Sequence, residues 1–285
     1  MATALCLSAG ACGLPGTGSR PSYDDVLDKI GAWAFQTKLA MSTESKDPKD
    51  AELVAQVVKR IGAVDGADKG KQAQPWNVHV VDDEGEDAVA FPGGGVLVST
   101  GMLRSVCGES SPSCDREGQL ATVLGHELVH VIDGHYLDRL KKRTDLLQPL
   151  VLAIAANPAT WDKDLDPKIK AGIFSTLGVT VGTVGVVPFA RDQEMRADGH
   201  GLHLMACDGG YEPEDALNYM RSRIERGGSA WSMMHPSDEQ RLQALEKELR
   251  VVETKCSTSG ESRVAQPHAA TPAEEVPSPA RPEGT

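Results

Sequence analysis

A long amphipathic helix is predicted over residues 120–140, because apolar side chains recur there with the spacing of an α-helix. The repeat is formed by Leu120, Val123, Leu124, Leu128, Val131, Ile132 and Leu137. The same stretch contains an HExxH motif, in which His126 and His130 stand at positions i and i+4 on one helix face. Both imidazoles can therefore reach one metal ion, while Glu127 lies beside them to handle a water molecule. The motif predicts a catalytic zinc site with His126 and His130 as ligands.

A third protein ligand must come from elsewhere in the chain, because a catalytic zinc ion keeps three protein ligands and one open position. Glu194 is the candidate, since it forms an i, i+4 acidic pair with Asp198 on a second predicted helix, residues 191–206. Asp198 then suits a supporting role, in which it accepts the free N–H of a ligating histidine and fixes its tautomer. Without the HExxH motif upstream, this acidic pair would indicate only a solvated helix face.

The rest of the chain predicts a mainly helical α+β fold with a small β-sheet. Further helices are expected at residues 23–41, 47–61, 212–226 and 237–253, and short strands at 76–81, 88–91 and 96–99. The last two strands are joined by Pro92-Gly93-Gly94-Gly95, which predicts a tight hairpin. In a continuous helix His135 would point away from the ligand face, so a packing or surface position is expected for it rather than ligation.

Length and charge limit the organisation and the partners of the chain. A sequence of 285 residues with 40% hydrophobic content can bury one sizeable core, and we expect a catalytic domain over residues 22–256. Residues 257–285 are rich in Pro, Ala, Ser, Thr and Glu and predict a disordered tail. The net charge of -12 argues against a nucleic-acid partner or an anionic membrane surface.

The first residues, 1–21, resemble the end of an export leader whose basic start is missing. Cys12 follows Ala9-Gly10-Ala11, as in a degenerate lipoprotein processing box, and is the lipidation candidate. The alternative is a disordered N-terminus with incidental cysteines. The uncharged run over residues 171–190 is long enough to span a bilayer, but spanning would separate His126 from Glu194. We interpret that run as a packed helical cover or a membrane-touching hairpin.

The even cysteine count downstream of the leader supports export. Cys107 and Cys114 bracket a short Gly/Ser/Pro loop, and Cys207 with Cys256 would tie the end of one helix to the last helix. These two pairs are the predicted disulfides. The alternative is a set of four reduced thiols in a cytoplasmic protein.

Several motifs occur in one order along the chain. They are Phe91-Pro92-Gly93-Gly94-Gly95-Val96, the segment 123–131 with His135, the segment 191–198, and His235-Pro236 followed by Arg241. This series resembles the HtpX-like family of gluzincin metallopeptidases, which includes the CAAX prenyl proteases, and most of all its exported bacterial branch of LoiP and BepA type. The family's Asn-Ala-Phe segment is replaced here by Ala-Val-Ala-Phe, residues 88–91, a departure that concerns the substrate-side strand.

The resemblance implies a zincin-like metallopeptidase domain that binds one zinc ion through His126, His130 and Glu194. It also implies that His235 lies near the metal as a gate, an extra ligand or a transition-state donor, and that Arg241 supports the site together with Asp198. The biological setting that it implies is quality control or maturation of envelope proteins. The cell envelope on its periplasmic side, with a membrane anchor, is the expected location, and the cytoplasm is the alternative.

The predicted function is peptide-bond hydrolysis by a zinc-activated water, with Glu127 as the general base. The strand that follows the Pro-Gly-Gly turn is expected to pair with unfolded or extended polypeptide substrates, so residues 91–96 form the predicted substrate strand. One alternative is a latent protease, in which His235 fills the open zinc position until a partner moves it. The other alternative is a noncatalytic zinc-binding chaperone or assembly factor. Glu127 argues against that alternative, because a structural zinc site needs no adjacent base.

Overall fold

The computed structural model describes residues 23–62, 76–106, 116–144, 157–162, 166, 168, 189–227 and 237–258. Its helices are α1 (Tyr23–Ala40), α2 (Pro48–Ile61), α3 (Thr100–Ser105), α4 (Arg116–Ile132), α5 (His135–Thr144), α6 (Arg191–His203), α7 (Glu214–Glu225) and α8 (Asp238–Thr258). The strands are β1 (Asn77–Val81), β2 (Ala88–Phe91) and β3 (Gly95–Ser99). A short 3-10 helix, Pro158–Trp161, and a π-helical turn, Leu204–Asp208, complete the described elements. The prediction of a mainly helical α+β fold with a small sheet is confirmed.

Local sequence signals set the ends of α2. The side chain of Asp47 accepts a hydrogen bond from the backbone N–H of Lys49 at 2.9 Å and caps the N-terminus. Pro48 occupies the first turn, where a missing N–H costs nothing, and Gly62 follows the last turn. These boundaries agree with the sequence prediction.

The sheet has the strand order β1-β3-β2, with β1 parallel and β2 antiparallel to β3. The hairpin between β2 and β3 is closed by a hydrogen bond from the N–H of Gly94 to the carbonyl of Phe91 at 3.0 Å. The strand after this turn, which contains Gly95 and Val96, is therefore central, and both of its edges are paired. The expectation that this strand offers its edge to a substrate is wrong, because the parallel crossover puts β1 on its second side.

The sheet is covered by helices on both faces. Alternate residues of β2 and β3 enter two hydrophobic clusters, as the two-residue period of a strand requires. Ala88, Ala90, Val96 and Val98 belong to the main core, which they share with α2, α3, α4, α7 and α8. Val89, Phe91 and Leu97 pack instead against α1. Helix α4 packs against β2, which is an edge strand of the described sheet.

The predicted continuous helix over residues 120–140 is wrong. Helix α4 ends at Ile132, and α5 begins at His135 after a break at Gly134, whose φ is +70°. A residue without Cβ adopts this left-handed conformation at little cost, so Gly134 ends α4 and redirects the chain. The break changes the direction in which His135 points.

Some predicted features lie outside the described residues. They are residues 1–21 with Cys12, Cys107, Cys114, His235, nearly all of residues 171–190, and residues 259–285. The start of the predicted tail is helical, since α8 continues to Thr258. Among the helices that the structure describes, none combines the length and the apolar character needed to cross a bilayer.

Cys207, in the π-helical turn, and Cys256, near the end of α8, form a disulfide in the structure, with Cα atoms 5.1 Å apart. This Cα separation is normal for a disulfide bond. The pair ties the segment that follows α6 to the last helix. Formation of the bond requires an oxidising compartment and stays a prediction.

Candidate metal centre

The site is built where helices α4 and α6 approach each other closely. Gly125 on α4 faces Gly201 on α6, and a Cβ atom added to Gly201 would lie 2.8 Å from the backbone nitrogen of His126. Two helices can come this close only where neither carries a side chain at the contact. The contact brings the face of α4 that carries the two histidines against the face of α6 that carries Glu194.

Three side chains converge between these helices. The Nε2 atoms of His126 and His130 lie 3.1 Å apart, and the Glu194 carboxylate lies 3.4 Å from the first and 3.6 Å from the second. All their ligand atoms lie within 4.8 Å of one another, and all three residues are buried. Two imidazole nitrogens and one carboxylate are a donor set that suits Zn²⁺. The residues present therefore fit a single metal ion.

Asp198 holds the second nitrogen of His126. Its Oδ1 atom lies 2.8 Å from His126 Nδ1, which leaves Nε2 directed at Glu194. Arg241, on α8, donates to both oxygens of Asp198, at 2.9 Å from Nε and 2.5 Å from Nη2. Nη2 of Arg241 also lies 3.2 Å from His126 Nδ1. The N–H of His126 would be on Nδ1 if its Nε2 lone pair faced a metal, and the Asp198 carboxylate is placed to accept that proton.

The charges around the cluster shift the pKa values of its members. Burial would raise the pKa of Asp198, but the charge and hydrogen bonds of Arg241, followed by His126, hold that pKa well below its usual range. Burial and Arg241 lower the pKa of His126, whereas Asp198 and Glu194 raise it, with a net pKa of about 9. The metal-free cluster therefore favours positive charge at His126.

Glu127 is buried on α4 directly beside this cluster, with 4% of its surface exposed. Burial is the main reason why its pKa rises to about 8, with Glu194 and Asp87 acting in the same direction. His126 and Arg241 act against the rise. A cation bound next to a carboxyl group lowers its pKa, so a metal would favour ionised Glu127 at neutral pH.

The sequence did not indicate Phe189, which lies against His130, or Arg139, which lies against Phe189. The Phe189 ring stacks on His130 with centroids 3.7 Å apart and 12° between the planes, and the Arg139 guanidinium lies 3.6 Å from the centroid of the Phe189 ring. His135 contacts His130 through Nδ1, at 3.0 Å, and is buried. His135 is buried by packing, which is one of the two positions expected for it. Its side chain does not point away from the ligands as expected, since it contacts His130. Gly134, a helix-stop signal, was the feature that could have revealed this contact.

Tyr136 links α5 to the edge strand of the sheet. Its hydroxyl donates to the backbone carbonyl of Ala90, in β2, at 2.9 Å. Burial raises the pKa of Tyr136 well above its usual range, so the hydroxyl stays protonated and acts as a donor. The aromatic ring also meets Phe189 edge to face, with centroids 5.0 Å apart. This contact joins the surroundings of His130 to β2.

A mainly helical α+β fold that presents an HExxH pair and a glutamate from a second helix defines the class of zincin-like metallopeptidase domains. The model of Peptidase family M48 matches residues 48–249, and the chain belongs to this family. Membership implies a divalent metal, for which the buried His/His/Glu cluster is the fitting site.

Comparison with curated proteins gives relatives of the same kind. The chain is 31% identical over 213 residues to the mitochondrial metalloendopeptidase OMA1 of Schizosaccharomyces pombe, covering 72% of this chain and 55% of that protein. It is 25% identical over 204 residues to the β-barrel assembly-enhancing protease of Yersinia pestis, covering 67% and 38%. A protease HtpX homolog of Bordetella avium is 29% identical over 175 residues, covering 53% and 56%. The matched part of the chain thus spans between 38% and 56% of the length of these three relatives.

Proposed function

We propose that this chain is a zinc-dependent endopeptidase that hydrolyses peptide bonds of misfolded or envelope proteins. The observation that carries the proposal is the buried cluster of His126, His130 and Glu194 with Glu127 beside it on the same helix as the two histidines. A purely structural zinc site would use four protein ligands and no neighbouring carboxyl group. The donor set, the adjacent acid and the family together favour catalysis.

The proposed chemistry divides between the metal and the chain. When bound, zinc supplies Lewis-acid chemistry that lowers the pKa of a water molecule and polarises a carbonyl group. The carboxylate of Glu127 takes the proton of the attacking water as the new C–O bond forms. Glu127 then returns this proton to the leaving nitrogen as the C–N bond breaks. His235, outside the described residues, stays the predicted donor to the oxyanion or the gate.

Extended polypeptides are the proposed substrates, and the edge of β2 is their proposed binding strand. Within the described sheet β2 pairs on one side only, with β3, and it packs against α4, which carries the cluster. A strand added beside β2 would therefore run next to the metal centre and form main-chain hydrogen bonds, although it would share the carbonyl of Ala90 with the Tyr136 hydroxyl. Of the predicted substrate strand, residues 91–96, this proposal keeps Phe91, at the end of β2.

The setting that we propose is the cell envelope, on the periplasmic side, with a membrane anchor. The name of one relative supports it, because that name refers to β-barrel assembly. Lipidated Cys12 or the apolar segment 171–190 would provide the anchor. Fractionation of cells that express the full chain tests this setting, since a Cys12→Ser variant should leave the membrane fraction if Cys12 is the anchor.

The test of catalysis is Glu127→Gln, which keeps the size of the side chain but cannot hold the proton. Cleavage of an unfolded protein should fall by at least about 100-fold, while zinc content and thermal unfolding stay close to wild type. The matched control is Glu117→Gln, which removes a carboxylate from the first turn of the same helix. This control should cut like wild type.

Two results would contradict the proposal. If wild type and Glu127→Gln cut equally well, Glu127 is not the base. If zinc-loaded wild type does not cut an unfolded protein, and the His235→Ala variant does not cut it either, the proposal of a protease fails and the noncatalytic chaperone is favoured.

A further inference from the structure

His135 contacts His130 on the side of the ring that faces away from the ligand cluster. The contact joins the two Nδ1 atoms at 3.0 Å. The other nitrogen of His130, Nε2, lies 3.1 Å from His126 Nε2 and 3.6 Å from the Glu194 carboxylate. His135 therefore contacts the candidate ligand His130 through the ring nitrogen that is not directed at the cluster. It is not itself one of the converging donors.

The protonation pattern of this contact follows from the chemistry of imidazole. A neutral imidazole has one N–H and one lone pair, on different nitrogens. If the Nε2 lone pair of His130 faces a metal, its proton is on Nδ1, and Nδ1 of His135 must accept it. His135 then carries its own proton on Nε2, an atom that is buried and has no hydrogen-bond partner among the residues that the structure describes.

The fold provides for this contact through the break at Gly134. In a continuous α-helix a residue five positions after His130 is rotated from it by about 140° and cannot reach its ring. The positive φ of Gly134 ends α4, and α5 restarts at His135, which turns the side chain back over His130. Phe189 limits the tilt of the His130 ring by stacking on it but has no atom that accepts a hydrogen bond.

We propose that His135 is a positioning residue, which accepts the Nδ1–H of His130 and so fixes the tautomer and orientation in which His130 binds the metal. It does for His130 what Asp198 does for His126, with a neutral imidazole in place of a carboxylate. This inference rests on the metal site of the proposed function. Histidine ligands in metal sites depend on such partners, whose removal costs about 10 to 100-fold in metal affinity.

The experiment compares two substitutions of His135. His135→Phe keeps a planar ring but removes the acceptor, whereas His135→Asn keeps an acceptor oxygen close to the place of Nδ1. His203→Asn, on α6 and outside the cluster, is the control for the loss of a histidine. The zinc dissociation constant of each purified protein is measured by competition with a chromophoric chelator, and the unfolding temperature is measured without metal.

We expect His135→Phe to weaken zinc binding by about 10 to 100-fold, with His135→Asn within about threefold of wild type. His203→Asn should match wild type. The metal-free unfolding temperatures of the two His135 variants should be similar, because the proposed role concerns the ligand and not the core. Nitrogen-15 NMR of zinc-loaded wild type should show His135 neutral, with its proton on Nε2.

Three results would overturn the inference. Equal zinc affinity of wild type and His135→Phe would show that the contact has no effect on the ligand. Equal losses in His135→Phe and His135→Asn would reduce His135 to a packing role. A proton on Nδ1 of His135 in the zinc-loaded protein would exclude the acceptor role even if His135→Phe does not fold. Failure of wild type to bind zinc would instead refute the metal site itself.

Discussion

The close contact between α4 and α6 leads to a prediction for Gly201→Ala. The new Cβ would lie 2.8 Å from the backbone nitrogen of His126 and 2.9 Å from the carbonyl carbon of Gly125. Ordinary carbon contacts begin at about 3.5 Å, so the helices must separate by roughly 0.5 to 1 Å. Overpacking of this kind costs about 1 to 3 kcal/mol in unfolding free energy.

Gly199→Ala is the matched control on the same helix. A Cβ at Gly199 would meet Glu248 Cγ at 3.5 Å, an ordinary contact. Both substitutions gain about 1 kcal/mol of helix propensity, so the difference between their unfolding free energies isolates the steric cost at Gly201. Urea unfolding of the metal-free proteins should place Gly201→Ala about 1 to 3 kcal/mol below Gly199→Ala.

Zinc affinity provides the second measurement. His126 is on α4 and Glu194 is on α6, and metal sites tolerate changes of only about 0.2 Å in ligand distances. Gly201→Ala should therefore bind zinc about tenfold more weakly or worse, which corresponds to about 1.4 kcal/mol, while Gly199→Ala binds it like wild type. If the two variants have equal stability and equal zinc affinity, the helix contact does not set the ligand geometry.

Two further predictions concern Arg241 and the disulfide. Arg241→Gln removes the cation that donates to both oxygens of buried Asp198 and leaves only His126 as a positive partner. The change should cost about 3 kcal/mol in the metal-free protein near pH 7, the lower end of the range for breaking a buried ion pair. Arg241 lowers the pKa of Asp198 in the folded protein, so the ionised Asp198–Arg241 pair stabilises the fold above the unfolded-state pKa of about 3.9. This stabilisation is lost as the pH falls towards the folded-state pKa. In urea unfolding, the difference in unfolding free energy between wild type and Arg241→Gln should therefore become smaller below about pH 4. In unfolded, unreduced protein made in an oxidising compartment, thiol titration should detect no free thiol at Cys207 or Cys256. Four free thiols, at Cys107, Cys114, Cys207 and Cys256, would contradict this prediction. Reduction should lower stability by up to about 4 kcal/mol, since the pair closes a loop with a sequence separation of 49.

The features that the sequence determines by itself are those set over a few residues. The i, i+4 spacing of His126 and His130 depends only on helix geometry, and the same holds for Glu194 and Asp198. The ends of α2 follow from Asp47-Pro48 and Gly62 in the same way. The chemistry of zinc coordination then suffices to connect the two pairs, because a catalytic ion needs a third protein ligand beyond the two histidines.

Other features depend on contacts between distant segments, and only the tertiary structure decided them. Strand order is one, because β3 pairs with both neighbours and only the packed fold makes β2 the strand beside α4. The role of His135 is another, since it depends on a single backbone angle at Gly134 together with the stacked Phe189, which is distant in sequence. Periodicity gives the face on which a side chain lies but not the partner that it meets, because that partner is selected by packing across the whole core.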